Sequence, residues 1–144
     1  MDDLYRENLL DHYKHPRHYG PLPDATISLE GQNPLCGDHV HLHVRLDEAR
    51  EHIEELRFEA RACTICTAAT SMLTEMVAED NRIAHVEELD REAMTEAVGI
   101  PLSPIRLKCA LLGLGTLKVA LHRAAGTPLP AAWVGSEEIE WGAG

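Results

Sequence analysis

Residues 38–46 read Asp38-His39-Val40-His41-Leu42-His43-Val44-Arg45-Leu46, an alternation of two kinds of side chain. Successive strand residues point to opposite faces of a sheet. The pattern therefore predicts a strand over Val40 to Leu46, with Asp38, Val40, Leu42 and Val44 on one face and His39, His41, His43 and Arg45 on the other. The apolar face belongs against a core, and Asp38 opens the strand on that side. An H-x-H-x-H pattern also resembles a metal motif, but its simpler reading is a solvated strand face opposite a buried one.

Working outward, Asp47 to Glu51 turns the chain into a second strand, Ile53 to Ala60, so the two form an antiparallel hairpin. Ala25 to Glu30 reads as a further short strand. The turn-rich link Gly20-Pro21-Leu22-Pro23 separates it from an N-terminal helix over Leu4 to Tyr13. In that helix Leu4, Leu9, Leu10 and Tyr13 recur at helical spacing, and Pro16 ends it. After Cys63 the period becomes helical. Thr64 to Ala78 is rich in small residues and then apolar, while Asp90 to Val98 has an aspartate cap and Gly99 at its end. Ser103-Pro104 is a cap followed by proline at the first helical position, opening a helix that runs to about Ala125.

The expected fold is α+β: an N-terminal helix, a three-stranded antiparallel sheet, then three helices packed on the sheet. Residues 1–125 are expected to form one domain. Residues 126–144, rich in proline and glycine and carrying Trp133 and Trp141, are expected to be a flexible tail.

Charge narrows the function classes. Asp and Glu number 24 against 13 Lys and Arg, a formal net charge of −11, so phosphate backbones are repelled and nucleic acid is excluded as a partner. The opening Met1-Asp2-Asp3-Leu4 is acidic rather than basic and apolar. The weakly polar run from Cys109 to Leu117 is far short of the roughly 20 residues a membrane span needs. A cytoplasmic protein that does not meet the membrane is expected. In that compartment its 4 cysteines are metal-binding or reactive thiols rather than disulfides.

Three cysteines occupy positions that favour the thiolate. Cys36 lies in Asn33-Pro34-Leu35-Cys36-Gly37-Asp38, where proline and glycine let the chain turn sharply. Cys63 stands where the third strand gives way to a helix, so helix-start N–H groups favour its anion. Cys109 falls in the second turn of the last helix with Arg106 and Lys108 close by. Three thiolates and the Asp38 carboxylate suit a tetrahedral zinc ion, and equally an iron–sulfur cluster. Spacing alone leaves two readings, one shared site or three unrelated buried cysteines. Cys66 completes Cys63-Thr64-Ile65-Cys66, but there is no second C-x-x-C and no βαβ context. It reads as a small packed hydrophobe, with an auxiliary thiol as the alternative.

Four blocks together resemble the IscU/SufU/NifU iron–sulfur scaffold family. Asn33-Pro34-Leu35-Cys36-Gly37-Asp38 is similar to that family's N-P-x-C-G-D motif, and Leu4 to Arg17 to its N-terminal signature. Cys63 with Ala69 to Glu75 resembles the second cysteine block, and Ser103 to Leu112 the third. The resemblance spans about residues 3 to 124. It implies a shared site of Cys36, Asp38, Cys63 and Cys109, with Cys36 and Cys109 as candidate sulfur acceptors. It also implies iron or a [2Fe-2S] cluster as the bound species, with zinc as the alternative occupant. The implied partners are a cysteine desulfurase, apo iron–sulfur protein acceptors and a chaperone. The last corresponds to Leu102-Ser103-Pro104-Ile105-Arg106, in place of the family's L-P-P-V-K.

Two functions follow from this resemblance. One is a cluster assembly scaffold, a binding protein. The other is an enzyme, a zinc-dependent sulfurtransferase of the SufU kind. The Arg-x-Lys-Cys form of the third block resembles the SufU branch, yet Cys63 to Cys109 is short for that branch's insertion. The scaffold is the favoured expectation. A purely structural zinc domain is disfavoured, because a chain of 144 residues is long enough to fold around its own core.

Overall fold

Alternation along three strands creates the apolar surface on which the rest of the chain packs. The structure, a computed structural model, describes residues 2–33, 37–128 and 140–141. Helix α1 (Asp2–Lys14) precedes three antiparallel strands, β1 (Ile27–Asn33), β2 (Asp38–Leu46) and β3 (Ile53–Arg61). Helices α2 (Thr64–Glu79), α3 (Ile83–Glu88), α4 (Arg91–Val98) and α5 (Pro104–Ala125) follow, and β4 (Glu140–Trp141) closes the order. The sheet runs β3-β2-β1-β4, with Gly31 paired to Trp141 at its short fourth strand. The α+β expectation holds, with α3 and β4 added to it. The tail residues 129–139 and 142–144, Trp133 among them, lie outside the described residues.

Leu42 stands between Leu29 on β1 and Phe58 on β3, and all three are fully buried. Val40 and Val44 flank Leu42 on the same side and are also fully buried. A shift in register between Arg45 and Leu46 resets the phase of the hairpin. Ile53 and Leu56, three positions apart, can therefore both face inward. Helix α2 packs against α1, β3, α4 and α5, which explains its small residues: most of its circumference is buried. β1 approaches α5 so closely that a Cβ added at Gly31 would lie 1.9 Å from Thr116 Oγ1.

Helix α1 differs from the expected apolar stripe. Leu9 is buried, but Leu4, Leu10 and Tyr13 are exposed, and the inward position beside Leu9 belongs to His12. A polar chain holds that ring. The Arg17 N–H donates to Ser71 Oγ at 2.8 Å, and Ser71 Oγ is 2.8 Å from His12 Nδ1. His12 Nε2 lies 3.2 Å from Glu75 Oε1. With the serine oxygen already accepting from Arg17, its hydroxyl donates to Nδ1, and Nε2 carries the proton toward the carboxylate. Burial, with the Arg17 charge adding to it, holds the His12 pKa below the ordinary imidazole value. At the far end of the core, buried Lys118 donates to the carbonyls of Glu87 (3.1 Å) and Leu89. The last turn of α3 is thereby satisfied. Among the described residues no helix is long and apolar enough to cross a membrane.

Candidate metal centre

The site forms where three elements end together. Gly37 adopts φ +68, a left-handed conformation that L side chains rarely take, and its N–H donates to Asn33 O at 2.9 Å. This tightens the turn between β1 and β2 and sets Asp38 as the first residue of β2, opposite Asn33. Asp38 points to the core face, as the alternation expects, and is 1% exposed.

Cys63 follows β3 and is the N-cap of α2, with φ −66 and ψ 168. Its N–H donates to Asp38 Oδ1 at 2.9 Å, and its Sγ lies 3.7 Å from Asp38 Oδ2. The Cys63 sulfur in turn accepts from the Cys66 N–H at 3.4 Å, in the place usually taken by a serine or aspartate oxygen. Cys109 reaches the same corner from α5. That helix is opened by Ser103, whose Oγ accepts from the Arg106 N–H at 3.3 Å, with Pro104 beginning its first turn. Cys109 is buried one turn further on, its Sγ 3.5 Å from Ile105 O.

The consequence is convergence. One ligand atom from each of Asp38, Cys63 and Cys109 lies within 4.8 Å of the others. Atoms that share one tetrahedral ion stand about 3.5–4 Å apart, given metal–ligand bonds of about 2.0–2.3 Å. The Cys63 Sγ to Asp38 Oδ2 separation of 3.7 Å already falls in that range. A pocket of about 300 Å³ opens over the sulfurs, lined by Thr64, Ile65, Ile105 and Arg106 beside Cys63 and Cys109. Cys63 is exposed and Cys109 is buried, so the corner can be reached through Cys63.

Of the four residues expected at the site, three are brought together. Cys36 lies outside the described residues, as do Pro34 and Leu35 before it. Cys66 is fully buried in the apolar core, so it packs as a small hydrophobe while its amide caps onto Cys63. Ile65 and Ile105 in the pocket wall were not singled out by the sequence reading. Ile105, next to the cap and proline of α5, had a positional signal, whereas Ile65 is indistinguishable from core. The histidine face needs a correction. His39 and His41 lie toward solvent, but His43 is 7% exposed, held between Ser28 Oγ and Glu59 Oε1 at 2.8 Å each. Alternation fixes the face of the strand on which a side chain lies, and its cross-strand neighbours decide how much of it they cover.

Known proteins share this arrangement of sequence. The chain is 37% identical to the iron-sulfur cluster assembly scaffold protein IscU of Aquifex aeolicus, over 84% of this chain and 76% of that protein. It is 30% identical to the zinc-dependent sulfurtransferase SufU of Bacillus subtilis, over 88% of this chain and 95% of that protein. The crystal structure of the N-terminal part of a nitrogen-fixing NifU-like protein from Brucella abortus superposes with a TM-score of 0.67. At 17% identity, over 88% of this chain and 98% of that one, it shares the fold. A family model described as NifU-like N terminal domain matches residues 4–128, and this chain belongs to that family.

Proposed function

We propose that the protein is a cytoplasmic iron–sulfur cluster assembly scaffold. It accepts sulfur from a cysteine desulfurase, holds iron or a [2Fe-2S] cluster at Cys36, Asp38, Cys63 and Cys109, and passes it to apo-proteins. The observation that carries this reading is the convergence of the Asp38, Cys63 and Cys109 ligand atoms within 4.8 Å. Cys36, two residues before Asp38 in the sequence, is proposed as the third thiolate on the family resemblance. Iron and cluster are cargo here, and a scaffold has to release what it binds. An oxygen ligand serves that end, since a carboxylate holds iron less firmly than a thiolate would. In sulfur transfer a thiolate of this chain attacks the outer sulfur of the desulfurase persulfide. The sulfur–sulfur bond of the donor breaks, its cysteine leaves as thiolate, and the new persulfide rests on this chain. Cys36 and Cys109 are the candidate acceptors.

A second reading, a zinc-dependent sulfurtransferase, is supported by Lys108 immediately before Cys109 and by the likeness to the Bacillus subtilis protein. In that case zinc keeps the thiolates deprotonated, and the protein relays sulfur without building a cluster. Visible absorption and metal content of protein purified without oxygen separate the two. Brown protein with iron and acid-labile sulfide supports the scaffold, and colourless protein holding tightly bound zinc supports the relay. Under either reading, folded Cys63→Ser and Cys109→Ser lose the bound metal. Desulfurase turnover rises when wild-type protein is added, and persulfide uptake, read as a mass shift, falls in Cys36→Ser or Cys109→Ser. Undiminished metal in folded Cys109→Ser, or uptake sensitive to Cys66→Ser alone, would overturn the assigned site.

A further inference from the structure

The opposite face of the same strand carries a second convergence of ligands. His41 on β2 lies directly across from Glu59 on β3, and His43 directly across from Ser28 on β1. The two imidazoles lean on each other with ring centroids 4.4 Å apart. One ligand atom from each of His41, His43 and Glu59 lies within 4.8 Å of the others. A hollow of about 470 Å³, lined by Glu30, His39, His41, Glu59 and Arg61, gives it access to solvent.

We propose that His41, His43 and Glu59 form a second, thiol-free site for a divalent transition-metal ion such as Fe(II), Co(II), Ni(II) or Zn(II). Two imidazoles and a carboxylate suit these borderline ions, and three protein ligands leave coordination positions for water. The surroundings of His43 are prepared for the exchange. Its Nε2 now donates to Glu59 Oε1, so the Ser28 hydroxyl donates to Nδ1. An ion bound by Nε2 and Glu59 would take the place of that proton, with the neutral ring changing tautomer so that its hydrogen stands on Nδ1. Ser28 Oγ then becomes the acceptor, because a hydroxyl serves equally well as donor and acceptor. Arg57 and Arg61 share this face, but so do Glu30, Glu55 and Glu59, and Arg57 Nε leans to Glu55 Oε1 at 3.6 Å. Asp38 and His41 point to opposite sides of one strand, so an ion held here is kept apart from the thiolates. The inference is independent of the assembly reading.

Metal-free full-length protein titrated with Co(II) in the absence of oxygen tests it. The thiolate-to-cobalt charge-transfer band reports the cysteine corner, equilibrium dialysis counts the total, and hyperfine-shifted imidazole N–H resonances report the histidines. Wild-type protein takes up an equivalent that adds no thiolate band and shifts two imidazole N–H signals. His41→Gln and Glu59→Gln, both at exposed or half-buried positions and checked by circular dichroism, weaken that equivalent at least about tenfold with the thiolate band unchanged. Ser28→Ala weakens it about 10–100-fold, as removal of a ligand-orienting partner does. His39→Gln leaves it unchanged. The proposal is overturned if all bound cobalt carries the thiolate band, or if His41→Gln and Glu59→Gln bind the non-thiolate equivalent as wild type does. A missing thiolate band beside an intact second equivalent would count against the assembly site alone.

Discussion

The two faces of the sheet differ in what limits them. On the inner face Leu29, Leu42 and Phe58 are fully buried, and Gly31 has no room even for a methyl group beside Thr116. Volume decides what is allowed there. On the outer face His39 reaches Glu30 at 2.9 Å and His43 reaches Glu59 at 2.8 Å, so charge and hydrogen bonding decide. Both faces come from one period-two pattern, and each carries a candidate ligand group of its own chemistry. Inside, sulfur and carboxylate meet at a corner covered by helices; outside, imidazole and carboxylate meet on an open sheet. A one-residue slip of β2 would turn Asp38 outward and His41 and His43 inward, so the apolar contacts that fix the register also keep these side chains on their own faces.

The largest effect of substitution is expected on the inner face. Gly31→Val forces side-chain atoms into Thr116, which is itself fully buried and donates to Leu112 O at 2.8 Å. A loss of about 3 kcal/mol in urea unfolding is expected, against about 0.5 kcal/mol or less for Glu30→Val next door on the outer face. Similar midpoints for the two variants would mean that the faces do not differ as described.

An intermediate effect is expected at the corner itself. Asp38→Ala removes the acceptor of the Cys63 N–H at a site 1% exposed, and should cost about 2 kcal/mol. Asp38→Asn keeps an oxygen in that place and should recover part of the loss. Equal denaturation midpoints for Asp38→Ala and wild type would show that the carboxylate does not hold β2 to α2.

The smallest effect lies off the sheet, at His12. Its folded pKa is held below the ordinary imidazole value by burial first and by Arg17 second. The unfolded chain therefore binds more protons between the two values. This contribution to stability is full above the unfolded pKa and is lost as pH falls through it toward the folded one. Wild-type protein should lose more stability than His12→Gln on acidification from neutral pH to below the unfolded imidazole value. Parallel pH profiles would remove the buried ring from the account.

Much of this was legible in sequence, for reasons that differ by element. Asp90 with Gly99, and Ser103 with Pro104, mark helix ends because their side chains and backbone preferences act within one turn. The Asp38 face followed from alternation. Helix α3 did not, since its six residues bury Val86 alone and offer no period to detect. Nor did β4, whose two residues gain strand character only by pairing with Gly31 and Gln32. In α1 the expected stripe failed because a histidine, satisfied by Ser71 and Glu75, took an inward position while leucines stayed outside. The convergence of Asp38, Cys63 and Cys109 depends on how β2, α2 and α5 dock, which no local pattern records. Resemblance supplied that expectation, and the docking of these elements supplies its geometry.

The thiol cap on α2 has one more consequence. The Cys66 amide is tied to the Cys63 sulfur at 3.4 Å, and that sulfur also belongs to the candidate metal corner. The sulfur stands as donor to Asp38 Oδ2, and an ion bound at the corner would displace that proton and leave a thiolate, a stronger acceptor for the amide than a thiol is. Loading the corner would therefore tighten the first turn of α2, and emptying it would loosen that turn again. Hydrogen–deuterium exchange at this single backbone position, inside an otherwise protected helix, becomes a built-in gauge of whether the corner is occupied.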